Sequence, residues 1–224
     1  MYNRIIKLIG ENNLDKLKNS TIAVIGLGGV GGYSVEALAR SGVGSIIIVD
    51  YDTIDVTNLN RQIISTTSNI GKSKVEEYQK RIKEINPDTN VIAIDKKLDI
   101  SNIEEILKYK IDFLIDAIDD IPVKQELIKK CLTNNINIIS SMGTGNKINP
   151  SKLEITDITK TSYDPLAKKI RKYLKTNDIK GKLSVVYSKE QNQKFEGSIP
   201  SMIFVPATAG IMAANYVIRK IIEK

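Results

Sequence analysis

The chain has 224 residues, 42% of them hydrophobic, with 33 Lys and Arg against 26 Asp and Glu for a net charge of +7. That supplies one substantial core, and the basic balance suits an anionic partner such as RNA or a nucleotide. One Cys and no His exclude an intrachain disulfide, an all-cysteine zinc site within one chain and any imidazole chemistry, and point to a reduced compartment, the cytoplasm. The opening Met1-Tyr2-Asn3-Arg4-Ile5-Ile6-Lys7 reads as too short and too charged for a secretory signal.

Short runs rich in Ile and Val at 21–25, 45–49, 91–94, 111–115 and 136–139 predict strands covered on both faces. Helical patterns at 29–41, 72–86, 101–109 and 121–134 lie between them, bounded by Gly, Pro, Asn or Asp. This alternation predicts an α/β fold, a doubly wound, Rossmann-like and mostly parallel sheet, with a strand and helix extension at the C-terminal end. The expected organisation is a single domain over 1–224, its nucleotide half at about 1–145 and its substrate-facing half at about 146–224. Ligands of such sheets lie at the C-terminal strand ends, where Asp50 and Asp116 fall; Asp116 also reads as a helix cap. The polar stretch Glu190 to Gly197 predicts a mobile loop. From Ile199 to Ile218 there is no charge, but Pro200, Pro206, Gly210 and Asn215 interrupt the run. It therefore predicts a strand at 202–205 and then a buried helix with Pro206 in its first turn, in preference to a membrane span. Cys131 shares a helical face with Leu127, Ile128 and Leu132 and reads as a small buried hydrophobe rather than a nucleophile.

Between the first predicted strand and helix lies Gly26-Leu27-Gly28-Gly29-Val30-Gly31, a loop whose backbone N–H groups can receive phosphate at a helix N-terminus. Asp50, about 20 residues on, suits ribose hydroxyls. A dinucleotide site would stop there. Instead Asp52 is followed by Asn58-Leu59-Asn60-Arg61-Gln62, and Lys74 heads the next predicted helix. A guanidinium fork and a mobile ammonium suit different phosphates of one ATP, and Asp119 is the carboxylate for Mg²⁺.

In this order and spacing the glycine loop, Asp50, the Asn58 to Gln62 segment, Lys74 and Asp116 to Asp120 resemble the ThiF-type adenylating domain of the ubiquitin-activating superfamily. The resemblance implies adenylation of a carboxylate at the α-phosphate of ATP. It also implies an arginine from the N-terminal helix of the other subunit of a homodimer, matched here by Arg4; the family's second arginine would fall on Met1. Relatives that activate ubiquitin-like carriers hold zinc with two Cys-x-x-Cys pairs, which this chain lacks, so no structural zinc is expected. Ser140 to Pro150, Ile155 to Ala167, Lys182 to Glu190 and Gly197 to Pro200 resemble the bacterial tRNA threonylcarbamoyladenosine dehydratases. That family acts on tRNA carrying threonylcarbamoyladenosine just after the anticodon, so the resemblance implies that tRNA as partner, besides ATP. It leaves room for a monovalent cation and for sulfur-transfer proteins as partners.

Lys160, Lys168, Lys169, Arg171 and Lys172 lie in a basic amphipathic stretch with Leu166, Ile170, Tyr173 and Leu174 as its apolar stripe. This reads either as a solvated helix or as a surface for tRNA phosphates. Asn146 and Lys147, after two glycines, could face the modified nucleoside or serve a turn. Three other readings stay open: an adenylating enzyme for a sulfur-carrier protein, a nicotinamide dehydrogenase, and a non-catalytic subunit.

Overall fold

The computed structural model describes residues 2–191, 195–197 and 199–223. Helices α1 (Asn3–Ile9) and α2 (Glu11–Lys18) lead into β1 (Thr21–Ile25), α3 (Gly31–Arg40), β2 (Ser45–Asp50), α4 (Lys74–Ile85), β3 (Asn90–Asp95), α5 (Ile103–Leu107), β4 (Phe113–Asp116), α6 (Ile121–Thr133) and β5 (Ile138–Ser141). The chain continues through β6 (Leu153–Asp157), α7 (Pro165–Thr176), β7 (Ser184–Ser188) and α8 (Phe204–Ile222). All seven strands form one sheet in the order β3-β2-β1-β4-β5-β7-β6. Every pair is parallel except β6 with β7.

The predicted α/β sheet is therefore present, and its strands alternate faces as a doubly covered sheet requires. Ile22 and Val24 of β1 pack with Leu17, Leu38, Tyr78 and Val217 on the side of α2, α3, α4 and α8. Ala23 and Ile25 pack with Ile103, Leu127, Ile128 and Ile170 on the side of α5, α6 and α7. Each such leucine or isoleucine contributes about 1.5–3 kcal/mol by leaving water.

Three expectations are corrected. The strand at 202–205 does not form, because Phe204 and Val205 already belong to α8. Its β-branched and aromatic residues mimic a strand, but the run continues into Ala207, Ala209, Gly210, Ala213 and Ala214, whose small side chains let α8 lie close on α3. A Cβ at Gly210 would come within 2.1 Å of the Val30 carbonyl oxygen, and Ser34 Oγ donates to the Gly210 carbonyl at 2.9 Å. Pro206 falls in the first turn, where its missing N–H costs no helical bond. Strands β4 and β5 start at Phe113 and Ile138, later than expected. Asp112 instead accepts the Thr21 N–H at 2.8 Å, and Asn135 turns the chain with φ 55°. Helix α5 is shorter than the predicted 101–109.

Of the predicted loop at 190–197, residues 192–194 lie outside the described residues, as do 1, 198 and 224; the others belong to no helix or strand. Among the described residues no helix is long and apolar enough to cross a membrane.

Candidate active site

Strand order reverses at β1, and there, at the C-terminal ends of β1, β2 and β4, a cavity of about 540 Å³ opens. The glycine loop forms one wall. Gly26 turns with φ 87°, and a side chain there would meet the Ala117 carbonyl oxygen at 2.8 Å. A Cβ at Gly31 would lie 1.8 Å from the Gly26 carbonyl oxygen, so these two glycines close the loop onto β4 and α3. Gly31 does not line the cavity; Gly28 and Gly29 do, and a Cβ at Gly28 would meet nothing nearer than Gln62 Nε2 at 3.9 Å. That space is open to a phosphate.

Asp50 is buried and already engaged. One carboxylate oxygen accepts the Leu27 N–H at 2.6 Å, and the other accepts Tyr51 and Asp52 N–H groups at 2.7 and 2.9 Å. It orders the loop from β2, and each oxygen keeps lone-pair capacity for a sugar hydroxyl.

Lys74 opens α4 with its side chain buried, Nζ 2.8 Å from Asp52 Oδ2. Residues 52–54 clasp 71–74, with Lys74 N–H donating to the Asp52 carbonyl at 3.1 Å and Ile54 N–H to that of Lys72 at 2.8 Å. Arg61 is anchored by Nη1 to the Thr57 carbonyl at 2.7 Å and to Asn60 Oδ1 at 3.0 Å, so its other nitrogens remain for a ligand. Gln62 lines the cavity, buried, with Oε1 unpartnered. Of two further expected nucleotide contacts, one lines the cavity and the other does not. Asn58 lines the wall, but its Oδ1 accepts the Asp55 N–H at 3.1 Å and holds the 55–58 turn. Asn60 lies outside the cavity, steadying Arg61 and donating to the Ser201 carbonyl at 3.0 Å.

Across the cavity Asp119 is exposed and lines the rim, while Asp120 caps α6 by accepting the Val123 N–H at 3.1 Å. Asp116 does not cap a helix. It is fully buried, with Oδ2 receiving Lys124 Nζ at 2.7 Å and Ser140 Oγ at 2.6 Å, and Oδ1 receiving the Ile118 N–H at 3.1 Å. Cys131 is buried as expected, and burial together with the Asp116 charge pushes its thiol up to about 12, which leaves no thiolate for attack.

The cavity also gathers Lys96, Lys97, Thr144 and Ser201, which sequence reasoning missed. The one signal for the lysines was their place just after a predicted strand. Acids Asp50, Asp52, Asp55, Asp119 and Asp120 face Arg61, Lys74, Lys96 and Lys97, a mixture that fits a polyphosphate accompanied by a divalent cation. Among the described residues no group of three or more acidic or thiol side chains forms a metal site by itself.

The remaining expected residues lie elsewhere. Arg4 is exposed on α1 and does not line its own chain's cavity. Asn146 turns the chain with φ 59°, its N–H donating to the Pro200 carbonyl at 2.7 Å. Lys147 turns inward: its side chain is buried, donating to the Gly143 carbonyl at 2.6 Å, with Nζ 3.6 Å from Asp164. Arg171 is likewise spent inward, on the Ile158 and Thr161 carbonyls at 3.4 and 3.2 Å and on the Thr161 hydroxyl. Lys160, Lys168, Lys169 and Lys172 are exposed. Ala167, Ile170 and Leu174 form the buried stripe of α7, with Leu166 and Tyr173 half-buried beside them.

Cations, a glycine loop and an acid on one cavity can hold a nucleoside triphosphate with its α-phosphate open to attack. A model of the ThiF family matches residues 2–224. A tRNA threonylcarbamoyladenosine dehydratase of Bacillus subtilis is 40% identical over 233 residues, covering 96% of this chain and 92% of that protein. The Escherichia coli tRNA N6-threonylcarbamoyladenosine dehydratase solved with ATP superposes with a TM-score of 0.94 at 34% identity, over 99% of this chain and 93% of that one. Its AMP complex gives 0.92 at 35% identity, over 97% and 92%.

Proposed function

The chain belongs to the ThiF family, and from that membership we infer that it dehydrates N6-threonylcarbamoyladenosine next to the anticodon of tRNA at the expense of ATP. The observation that carries the reading is the convergence of the glycine loop, Asp50, Arg61, Lys74 and Asp119 on one cavity at the switch point of the sheet. ATP occupies it. An oxygen of the threonyl carboxylate attacks the α-phosphorus, the bond to the bridging oxygen breaks, and pyrophosphate departs. A nitrogen of the same modification then attacks the activated carbonyl and AMP leaves, closing a five-membered ring. The net change is loss of water from the nucleoside, with ATP consumed to AMP and pyrophosphate. Because attacking nitrogen and carbonyl belong to one substituent, proximity does what a cysteine does in carrier-activating relatives.

In this reading Gly28, Gly29 and Gln62 frame the phosphates, Asp50 takes the ribose, and Arg61 and Lys74 hold the charge that develops on the leaving pyrophosphate. Asp119 would hold Mg²⁺ through the phosphates; bound there, the ion would neutralise part of the triphosphate charge. Arg4 serves the cavity of a second copy in a homodimer. Lys160, Lys168, Lys169 and Lys172 meet tRNA phosphates. Residues 1–224 act as one adenylating domain in the cytoplasm, with room for a monovalent cation and for sulfur-transfer proteins as partners.

Release of AMP and pyrophosphate distinguishes the substrate. Threonylcarbamoylated tRNA should stimulate it, and a small carrier protein ending in Gly-Gly should not. Stimulation by the carrier and none by the tRNA would replace this reading with carrier activation.

A further inference from the structure

Two buried charges outside the nucleotide wall have no part in the chemistry just described. Lys147 follows β5 in the loop that carries Thr144 onto the cavity wall, and Asp164 is the N-cap of α7. Their side chains are 1% and 0% exposed, and Lys147 Nζ lies 3.6 Å from Asp164 Oδ2. Lys147 Nζ also donates to the Gly143 carbonyl at 2.6 Å, next to Thr144. Asp164 Oδ1 accepts the Ala167 N–H at 2.8 Å, while Oδ2 has no hydrogen-bond partner. A Cβ on Gly143 would lie 3.5 Å from that oxygen, so the loop backbone lies in van der Waals reach of the helix cap.

We propose that Lys147 and Asp164 are positioning residues that fix the Gly143–Thr144 side of the cavity to the N-terminus of α7, keeping an RNA held on α7 in register with the nucleotide. This rests on the proposed function. A salt link between two exposed charges would slip, because screening and side-chain entropy leave it little net strength. Two buried charges cannot part without leaving each uncompensated, so the loop and the helix cap move as one body. Lys147 and Asp164 make none of the hydrogen bonds that hold Asp50, Arg61 or Lys74, which are anchored by the Leu27 N–H, Thr57, Asn60 and Asp52. ATP binding is thus independent of it. Contact between tRNA phosphates and the outer lysines of α7 is independent as well. What depends on the link is the distance from the RNA-bound helix to the α-phosphate, and a small misplacement of reacting groups costs turnover heavily.

The test compares Asp164→Asn, Lys147→Met and the double variant with the wild type. Asparagine keeps an oxygen for the Ala167 N–H, so the cap of α7 survives and only the charge is lost. The double variant leaves no lone buried charge and carries the test if Lys147→Met does not fold. Dissociation constants for ATP and for threonylcarbamoylated tRNA should stay within about threefold of wild type, while kcat for the cyclised nucleoside falls about tenfold or more. Turnover within about twofold of wild type in Asp164→Asn and the double variant would overturn the proposal, as would a loss of either binding constant in step with turnover. Wild-type product in the same assay separates the two levels: without it the function reading fails and this one with it.

Discussion

Arg61 is held in place by the protein itself, since the Thr57 carbonyl and Asn60 fix one end of its guanidinium. Lys74 is fixed by burial at the head of α4 and by Asp52, whose own side chain is 48% exposed. Replacing either cation therefore strands no buried charge. Arg61→Ala and Lys74→Ala should unfold at nearly the wild-type temperature yet lose about 10²–10³-fold in AMP formation, as expected when a preorganised partner of developing charge is removed. Near-normal AMP formation in either variant would remove that residue from the triphosphate site. At this scale the sequence was legible where residues sit within a few positions of a strand end, as Gly28, Asp50 and Asp119 do, all of which line the cavity. It did not show the partners of Lys147 and Arg171, which a polar loop and a lysine-rich helix would ordinarily leave exposed. Their partners Asp164 and Thr161 come from other parts of the chain, and only tertiary structure shows that these cations turn inward.

Among the elements, the β4–α6 connection depends on one buried cluster. Asp116 at the end of β4 binds Lys124 of α6, Ser140 of β5 and the Ile118 N–H, so a single carboxylate sets the loop that presents Asp119. Lys124→Met should cost about 3–5 kcal/mol in denaturant unfolding, because it leaves a fully buried carboxylate without its cation. A loss below about 1 kcal/mol would mean that water or a neighbour compensates the charge. The parallel strands and their helices were readable from period and composition, since β1, β2 and β4 are covered on both faces and carry unbroken apolar runs at 22–25, 46–49 and 113–115. The first turn of α8 was not. Ile203, Phe204 and Val205 have strand propensities, and packing of a small-residue helix on α3 decides the conformation instead. Lys96, Lys97, Thr144 and Ser201 reach the cavity because the sheet order brings separate strand ends together, a relation that no local pattern carries.

For the whole molecule, the glycine-loop cavity lies at the switch point of the sheet and the exposed lysines of α7 belong to the C-terminal half of the chain. Changing Lys168, Lys169 and Lys172 to Ala should weaken tRNA binding and lower its salt slope by roughly 2–3, with ATP affinity unchanged. An unaltered slope would take α7 out of the RNA surface. If Arg4 serves the partner's cavity, Arg4→Ala and Arg61→Ala proteins, each inactive alone, should recover about a quarter of wild-type activity after their subunits exchange, since mixed dimers hold one intact site. No recovery in demonstrably mixed dimers would place Arg4 outside the reaction. In the proposed reaction a carboxylate on tRNA is adenylated and its AMP is then displaced by a nitrogen of the same substituent. The most direct test is mass spectrometry of nucleosides from threonylcarbamoylated tRNA after incubation with the protein, ATP and Mg²⁺. A nucleoside lighter by one water should form, with one AMP released per conversion; an unchanged nucleoside mass would contradict adenylation and ring closure.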